Sequence, residues 1–387
     1  MPRCDVSFSR SLILRIGQYI LKFCVDGSDI IIYFDKIMNM KWIFVFGFML
    51  IGALGFSQLG GNNTYEFLNL PISARVTALG GNLISVRDND LNVALTNPSL
   101  LSDSMNNNVA LSFTNYIAGI KYGYVTIGKH FKRGGNFSLG VNYLNYGNLV
   151  RADEYGNVTG TFGGNEESFN LAYSHRIIDS NFYVGANLKT IYSVLDVYTS
   201  YASALDLGAT YYNPKTNFGL AGVIKNIGHV WKGYDKNNQN EKLPFEIQLG
   251  TSYRLKKFPI RMSVVYENVE QWDLTYHDPL VPYPRNPVTG EIIEDNKYKV
   301  WGDKLMRHIV LGTEFIISKN LFLRVGYNYQ RAVELKSPAK TEFAGFSFGF
   351  GFRVYKFHFS YGRAVYLMAG VTNNFSVSFD MGSFHKK

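Results

Sequence analysis

The most specific catalytic spacing in the chain is a Ser-x-x-Lys pattern formed by Ser337 and Lys340. In penicillin-recognising enzymes such a serine is the nucleophile, and the chemistry also needs Ser-Asp-Asn and Lys-Thr-Gly motifs. Neither motif is present, because Lys340 and Thr341 are followed by Glu342. We therefore assign this pattern to chance.

The other reactive residue types also lack the spacing of a site. The seven histidines are scattered, with no His-Glu-x-x-His or similar pair to hold a metal. A Gly-x-Ser-x-Gly elbow, which would supply a hydrolase nucleophile, is missing. Both cysteines, Cys4 and Cys24, precede an apolar run at 42–55, so no disulfide framework or Cys-based zinc site is expected after it. We expect a protein that is not an enzyme and uses no cofactor.

The apolar run at 42–55 has the features of a secretory signal peptide. It follows Met40 and Lys41, and it ends in the small residues Gly55 and Ser57. Such a run is too short for a membrane anchor, and a buried helix is the alternative interpretation. We predict a signal peptide at 40–57, a mis-called start or unstructured leader at 1–39, and a mature chain that begins at Gln58.

The composition favours a membrane barrel over a soluble domain. Charged residues make up 18% of the 387 residues, against about 25% in typical soluble proteins, while aromatic residues make up 16%. The chain contains no apolar stretch of about 18 residues that could cross a bilayer as a helix. A net charge of +9 without a dense Lys/Arg run suits an anionic lipid surface and excludes a nucleic-acid partner.

Alternation of bulky with small or polar residues predicts β-strands after residue 108. Phe346, Phe348, Phe350 and Phe352, for example, alternate with small or charged neighbours, which places the two sets on opposite faces of a strand. Fourteen such runs lie near 109–116, 120–131, 136–146, 166–177, 181–194, 200–213, 217–228, 243–255, 259–269, 305–317, 320–330, 341–354, 356–365 and 371–379. Their even number and length predict an antiparallel transmembrane β-barrel.

The connections between these runs alternate in length. The long ones are 147–165, 229–242, 270–304 and 331–340, and short turns separate the other pairs. Outer-membrane barrels have short periplasmic turns and long external loops, so both termini should face the periplasm.

Residues 58–108 precede the barrel and lack strand periodicity. Ser73 to Gly81 and Leu91 to Leu95 predict short helical turns, and Asn97 with Pro98 ends the second one. A segment of this length is too small to fold alone. We predict a plug inside the barrel or a clasp beneath it, followed by a barrel with extracellular loops at 109–387.

Two groups of side chains are candidate functional residues. Polar residues expected to face inward could line a permeation path or pair across a filled lumen; they are Glu246, Arg254, Arg261, Glu267, Arg324 and Arg353. Aromatic residues in the long loops could form a partner site, since buried aromatics anchor many interfaces, or could fold over the barrel mouth. They are Trp231, Tyr234, Trp272, Tyr276, Tyr283 and Trp301.

The segment from Gly60 to Gly81, with Ser85 to Asp90 and Asn97 to Leu101, resembles the start of the PorQ family of the type IX secretion system. The PorV family and FadL-like barrels share a looser form of the Asn97–Pro98 turn. The resemblance implies a FadL-like, 14-stranded barrel in the outer membrane. It implies a complex with PorZ, bound directly, and with PorU and PorV, which attaches secreted cargo to lipopolysaccharide. A FadL-like channel for hydrophobic compounds is the alternative.

Overall fold

The computed structural model describes residues 20–25, 28–33, 63–177, 181–235, 241–275, 296–334, 343–366 and 370–385. The chain divides into two units, 1–56 and 57–387. In the first unit, strands β1 (Ile20–Val25) and β2 (Ser28–Tyr33) pair in antiparallel fashion. The signal peptide predicted at 40–57 lies outside the described residues.

Fourteen strands of the second unit form a closed antiparallel barrel, which confirms the predicted fold. Each strand pairs with its neighbours in sequence, and the last pairs with the first. The strands are β3 (Asn108–Asn115), β4 (Lys121–Phe131), β5 (Gly135–Ala152), β6 (Val158–Arg176), β7 (Phe182–Leu195), β8 (Tyr198–Asn213), β9 (Phe218–Lys232), β10 (Glu246–Arg254), β11 (Ile260–Tyr266), β12 (Ile309–Ile316), β13 (Leu321–Asn328), β14 (Phe346–Val354), β15 (Phe357–Tyr366) and β16 (Gly370–Asp380).

The outer face of the barrel is apolar. Ile127, Leu139, Leu171 and Leu188 are register partners on successive strands, and all four are exposed on the outside. Rings flank this aliphatic row, as in the cluster of Phe131, Phe137 and Tyr173, where the ring of Phe137 lies 5.6 Å from that of Phe131, edge to face, and 4.9 Å from that of Tyr173. An apolar band with aromatic edges is the surface that a barrel presents to lipid. The chain is therefore an outer-membrane type of barrel.

The connections separate the two ends of the barrel. Tight turns such as 132–134, 255–259 and 317–320 define the short-turn end, where β3 begins and β16 finishes. The connections 233–245, 267–308 and 329–345 define the long-loop end.

One predicted loop is wrong. The segment 147–165 is mostly strand, because β5 and β6 continue as a paired hairpin as far as Ala152 and Val158. Backbone hydrogen bonds extend this ladder past a bulge, with Leu149 opposite Phe162. Since the backbone makes these bonds whatever the side chains are, the pairing continues where the alternation that marks a membrane strand has ended.

The segment before β3 fills the barrel lumen as a plug, defined here as residues 63–107. It contains helix α1 (Ala74–Ala78) and 3₁₀ turns at Glu66–Asn69, Leu91–Leu95, Pro98–Leu100 and Asp103–Met105. The side chain of Ser73 caps α1, and the Asp90 carboxylate accepts from the Asn92 amide at the start of the next turn. Its apolar side chains form a buried core with Leu79, Leu83 and Leu100.

Glycines in the wall allow the plug backbone to lie directly against the strands. A Cβ at Gly326 would overlap Gly80 and Leu79 of the plug, and one at Gly362 would overlap the Ala74 carbonyl. Side chains at these wall positions would push the plug inward.

The described part of the chain contains three further helices. They are α2 (Lys297–Arg307) and α3 (Tyr329–Glu334) at the long-loop end and α4 (Gly382–His385) after β16. Within the described ranges, none of the helices has both the length and the apolar character needed to cross a bilayer.

Candidate functional site: a plugged lumen with a cavity at each end

The Asn97–Pro98 turn fastens the plug to one side of the wall. The Asn97 amide nitrogen donates to the Ile84 carbonyl at 2.7 Å and to the Thr210 hydroxyl at 3.0 Å, while its oxygen accepts from Ser99. Asn97 is fully buried. The predicted turn motif therefore has a structural role here, because it satisfies backbone and side-chain groups that no water reaches.

An ionic cluster fastens the other side of the plug. The Arg75 guanidinium lies 2.8 Å from Asp88, 3.0 Å from Asp90 and 2.9 Å from Glu314 of β12. Arg261 contacts Asp88 and Glu314 at 3.0 and 2.9 Å, and Arg324 contacts Glu314 at 3.0 Å. Three guanidinium groups thus share three carboxylates in the middle of the lumen.

This cluster lowers the pKa of the Asp88 carboxyl group. Burial raises the pKa of Asp88, but Arg75 and Arg261 more than offset that effect and lower it to about 2. The carboxylate therefore stays charged over the physiological range. Arg324 and Arg261 were predicted to face inward and do so. Arg75 and Glu314 are not among the residues predicted to face the lumen. Glu314 could have been found from the sequence, because it is a charged residue at an inward position of a predicted strand.

A cavity of about 450 Å³ lies above the plug at the long-loop end. One part of its lining is apolar and comes from the plug and the 117–119 turn, with Leu68, Leu70, Pro71, Ile72 and Ile117. The other part is polar and comes from the wall and α3; it includes Asn142, Asn170, Gln248, Asn328 and Arg331. Such a lining fits a molecule with an apolar body and a polar end.

Three residues in the polar lining have unsatisfied side-chain atoms. Asn142 Oδ1, Gln248 Oε1 and Arg331 Nη1 are buried and have no hydrogen-bond partner within the described chain. Native proteins leave few buried polar atoms unpaired, so each one needs a physical explanation. Their common location around one cavity points to a polar occupant.

Charged groups in the lining are mostly paired. Lys189 lies 2.7 Å from Asp206, and Lys225 lies 3.9 Å from Glu246, which was predicted to face the lumen. Glu267 accepts from the Asn82 amide at 2.8 Å. Burial, together with the nearby Glu246 carboxylate, raises the pKa of Glu267 to about 7.

The aromatic residues of the long loops divide into three groups. Trp272 stacks on His308 at 5.8 Å and lies 6.2 Å from Trp301, so both tryptophans cover the wall beside β11 and keep one side exposed. Tyr276 and Tyr283 lie outside the described residues.

The third group is at the end of β9. Trp231 is exposed, and its indole nitrogen donates to Ser203 at 2.9 Å. Tyr234 turns inward, where its hydroxyl bonds to Ser193 and its ring lies 6.3 Å from that of Tyr65. Of these two predicted residues, Trp231 alone has an exposed ring.

A larger cavity of about 780 Å³ opens at the short-turn end, below the ionic cluster. Arg254 and Arg353, both predicted lumen residues, lie in its lining together with Lys319. In the described ranges, no group of three or more His, Cys, Asp or Glu side chains could hold a metal ion.

Comparison with known proteins gives similarity in structure alone. No family model matches the chain, and no curated protein matches it. Among solved structures, the chain is similar to the CymD monoaromatic hydrocarbon channel, with 13% identity, a TM-score of 0.49, and coverage of 81% of this chain and 98% of that one. It is also similar to the toluene transporter TbuX of Ralstonia pickettii, with 12% identity, a TM-score of 0.47, and coverage of 81% and 99%.

A FadL homologue of Pseudomonas aeruginosa is similar over 80% of this chain and 98% of its own, with 8% identity and a TM-score of 0.44. The hydrocarbons named for CymD and TbuX are substrates of those two proteins, and a likeness in fold at this identity does not make them substrates of this chain. The fold of this chain rests on its own closed strand pairing, and the resemblance to the PorQ family stays a prediction.

Proposed function

We propose that the protein is an outer-membrane channel that takes up small hydrophobic compounds with a polar end through the cavity at the long-loop end, which faces the outside. The observation that carries this proposal is the grouping of three unsatisfied polar side chains around a cavity whose other part is apolar. A bound molecule would place its apolar body against Leu70 and Ile72 and its polar end near Arg331.

Passage from this cavity requires movement of the plug. Plug residues 68–72 form part of the cavity lining, and the ionic cluster around Arg75 closes the lumen below. The plug therefore acts as a gate in this proposal. Opening a path would require residues 68–72 to shift and the ion pair between Arg75 and Glu314 to separate.

Binding of laurate tests the proposal, because laurate has an apolar chain and one carboxylate. The protein is placed in lipid nanodiscs, and radiolabelled laurate is measured by equilibrium dialysis against empty nanodiscs. Ile117→Trp would fill the cavity, and we expect at least a tenfold loss of affinity and a matching loss of laurate uptake by cells. Ile177→Trp makes the same change at the short-turn end and should leave both unchanged. Equal binding by both variants would refute the proposal.

A second function, anchoring of a surface partner, is favoured by a separate observation. Trp231, Tyr298 and Trp301 at the long-loop end are 63%, 87% and 57% exposed. Exposed aromatic side chains of this kind become the anchors of protein interfaces when a partner covers them. We propose PorZ as that partner, with PorU and PorV in the same complex and cargo attached to lipopolysaccharide.

A pull-down in mild detergent tests this second function. The tagged wild type should recover PorZ, and the Trp231→Ala/Trp301→Ala double variant should recover at least tenfold less. Tyr155→Ala removes an exposed ring from the tip of the β5–β6 hairpin and serves as the control. Recovery of PorZ by neither protein, under conditions that preserve other surface complexes, would leave only the uptake function.

A further inference from the structure

The cavity at the short-turn end has more positive than negative charge. Its lining contains seven basic and four acidic side chains, a surplus of three positive charges. Arg75, Arg261 and Arg324 balance Asp88, Asp90 and Glu314 in the ionic cluster. The surplus therefore belongs to the residues nearer the opening.

Three of these residues have no internal counter-ion. The side chains of Arg254, Lys319 and Arg353 are exposed to the cavity, and none of them has an ion pair or side-chain hydrogen bond within the described chain. The two remaining charged residues near the opening, Lys356 and Asp380, each have a hydrogen-bond partner within the protein. Lys356 donates to the Ser383 carbonyl at 2.6 Å, and Asp380 accepts from the Gly382 amide at 2.8 Å.

The strand register places two of the arginines face to face. Arg254 of β10 is the direct register partner of Arg261 of β11, and both lie at inward positions of their strands. Like charges directly opposite each other on neighbouring strands are destabilising. Arg261 is neutralised by Asp88 and Glu314, so the uncompensated charge is that of Arg254.

We propose that this cavity binds a soluble, multiply charged oxyanion, with phosphate or polycarboxylate groups held by Arg254, Arg353 and Lys319. Guanidinium groups bind such oxyanions through two parallel hydrogen bonds, and a lysine adds a point charge. The closed sheet separates the cavity from the lipid phase, so the ligand comes from the water at the short-turn end. This site depends on the barrel and plug and is independent of the uptake proposed above.

Titration with pyrophosphate and with citrate at constant ionic strength tests the proposal on the full protein in nanodiscs. We expect saturable binding by calorimetry and at least a tenfold weaker affinity in Arg254→Gln/Arg353→Gln. The matched control is Lys256→Gln/Lys257→Gln, which removes two exposed cations from the β10–β11 turn outside the cavity lining. The control should bind like the wild type.

Two results would overturn the proposal: no saturable binding of either anion by the wild type, or an equal loss of affinity in both double variants. A second measurement covers the case in which the arginine variant does not fold. In the wild type, pyrophosphate or citrate should protect Arg254 and Arg353 from modification by phenylglyoxal, read by peptide mass spectrometry. Unchanged modification of both arginines would also overturn the proposal.

Discussion

Arg75 connects the plug to the barrel wall through three carboxylates, two in the plug and one in β12. A guanidinium is suited to this position because its five N–H donors are fixed in a plane and stay charged. Arg75 itself is only 4% exposed. Its removal would leave buried carboxylates with too few partners, and uncompensated buried charge is more costly than the loss of one contact.

We therefore expect Arg75→Met to destabilise the protein by about 3–5 kcal/mol. Thermal unfolding followed by circular dichroism would measure the loss, and protease cleavage within the plug would increase. The control is Arg151→Met, which breaks an exposed ion pair between Arg151 of β5 and Asp196 of the β7–β8 turn and should cost about 0–1 kcal/mol. Equal effects of the two variants would argue against the plug cluster as a major source of stability.

Two carboxyl groups beside β11 give the long-loop end a pH dependence. Burial raises the pKa of Glu267 and of Glu270 to about 7, from the ordinary value of 4.5. Glu246 adds to both shifts, while Lys225 and Arg331 partly oppose that of Glu267. The folded state therefore keeps protons that the unfolded state releases between pH 4.5 and 7, so stability decreases as the pH rises through this interval.

Hydrogen exchange of residues 267–275, corrected for the intrinsic rate, measures this effect. We expect weaker protection at pH 8 than at pH 5. The Glu267→Gln/Glu270→Gln variant has no titrating carboxyl at these positions, so its protection should be the same at both pH values. A wild type with equal protection at both values would contradict the expected pKa shifts.

At the scale of elements, close contact between the plug and β13 depends on a missing side chain. Gly326→Val would place Cβ on the plug backbone at Gly80 and Leu79, and we expect a loss of about 1–3 kcal/mol or a displaced plug. Gly302→Ala in α2 is the control, since nothing lies within 4 Å of its Cβ. It should stabilise the helix by about 1 kcal/mol at most. Thermal unfolding of both variants would compare them.

The strands were predictable because lipid on one side and the plug on the other impose a period of two on the sequence. Two helical segments of the plug, Ala74–Ala78 and Leu91–Leu95, were also predictable, since Asp90 caps the second and Pro98 follows it. The turns at Glu66–Asn69, Pro98–Leu100 and Asp103–Met105 were not predicted. The contacts between plug and wall were not, because Arg75 and Glu314 are 239 positions apart and no local pattern joins them. The same limit applies to the cavity residues Asn142 and Arg331, which different strands and helices bring together.

At the scale of the whole molecule, an apolar outer surface is stable only where lipid covers it. Leu171 of β6 lies in the aliphatic row, with Leu139 and Leu188 as its register partners, and is 49% exposed on the outside. Leu171→Arg would place a charge in the middle of the hydrocarbon layer, at a cost of about 2–4 kcal/mol.

Val158→Arg makes a similar change near the tip of the β5–β6 hairpin, outside the apolar row, where Val158 is exposed and the cost should be near zero. Folding into lipid vesicles, followed by urea titration of the inserted fraction, would give the two free energies. Equal stability of the two variants would mean that the aliphatic row does not lie in lipid. The assignment of the outer surface to a membrane would then fail, although the closed barrel would remain.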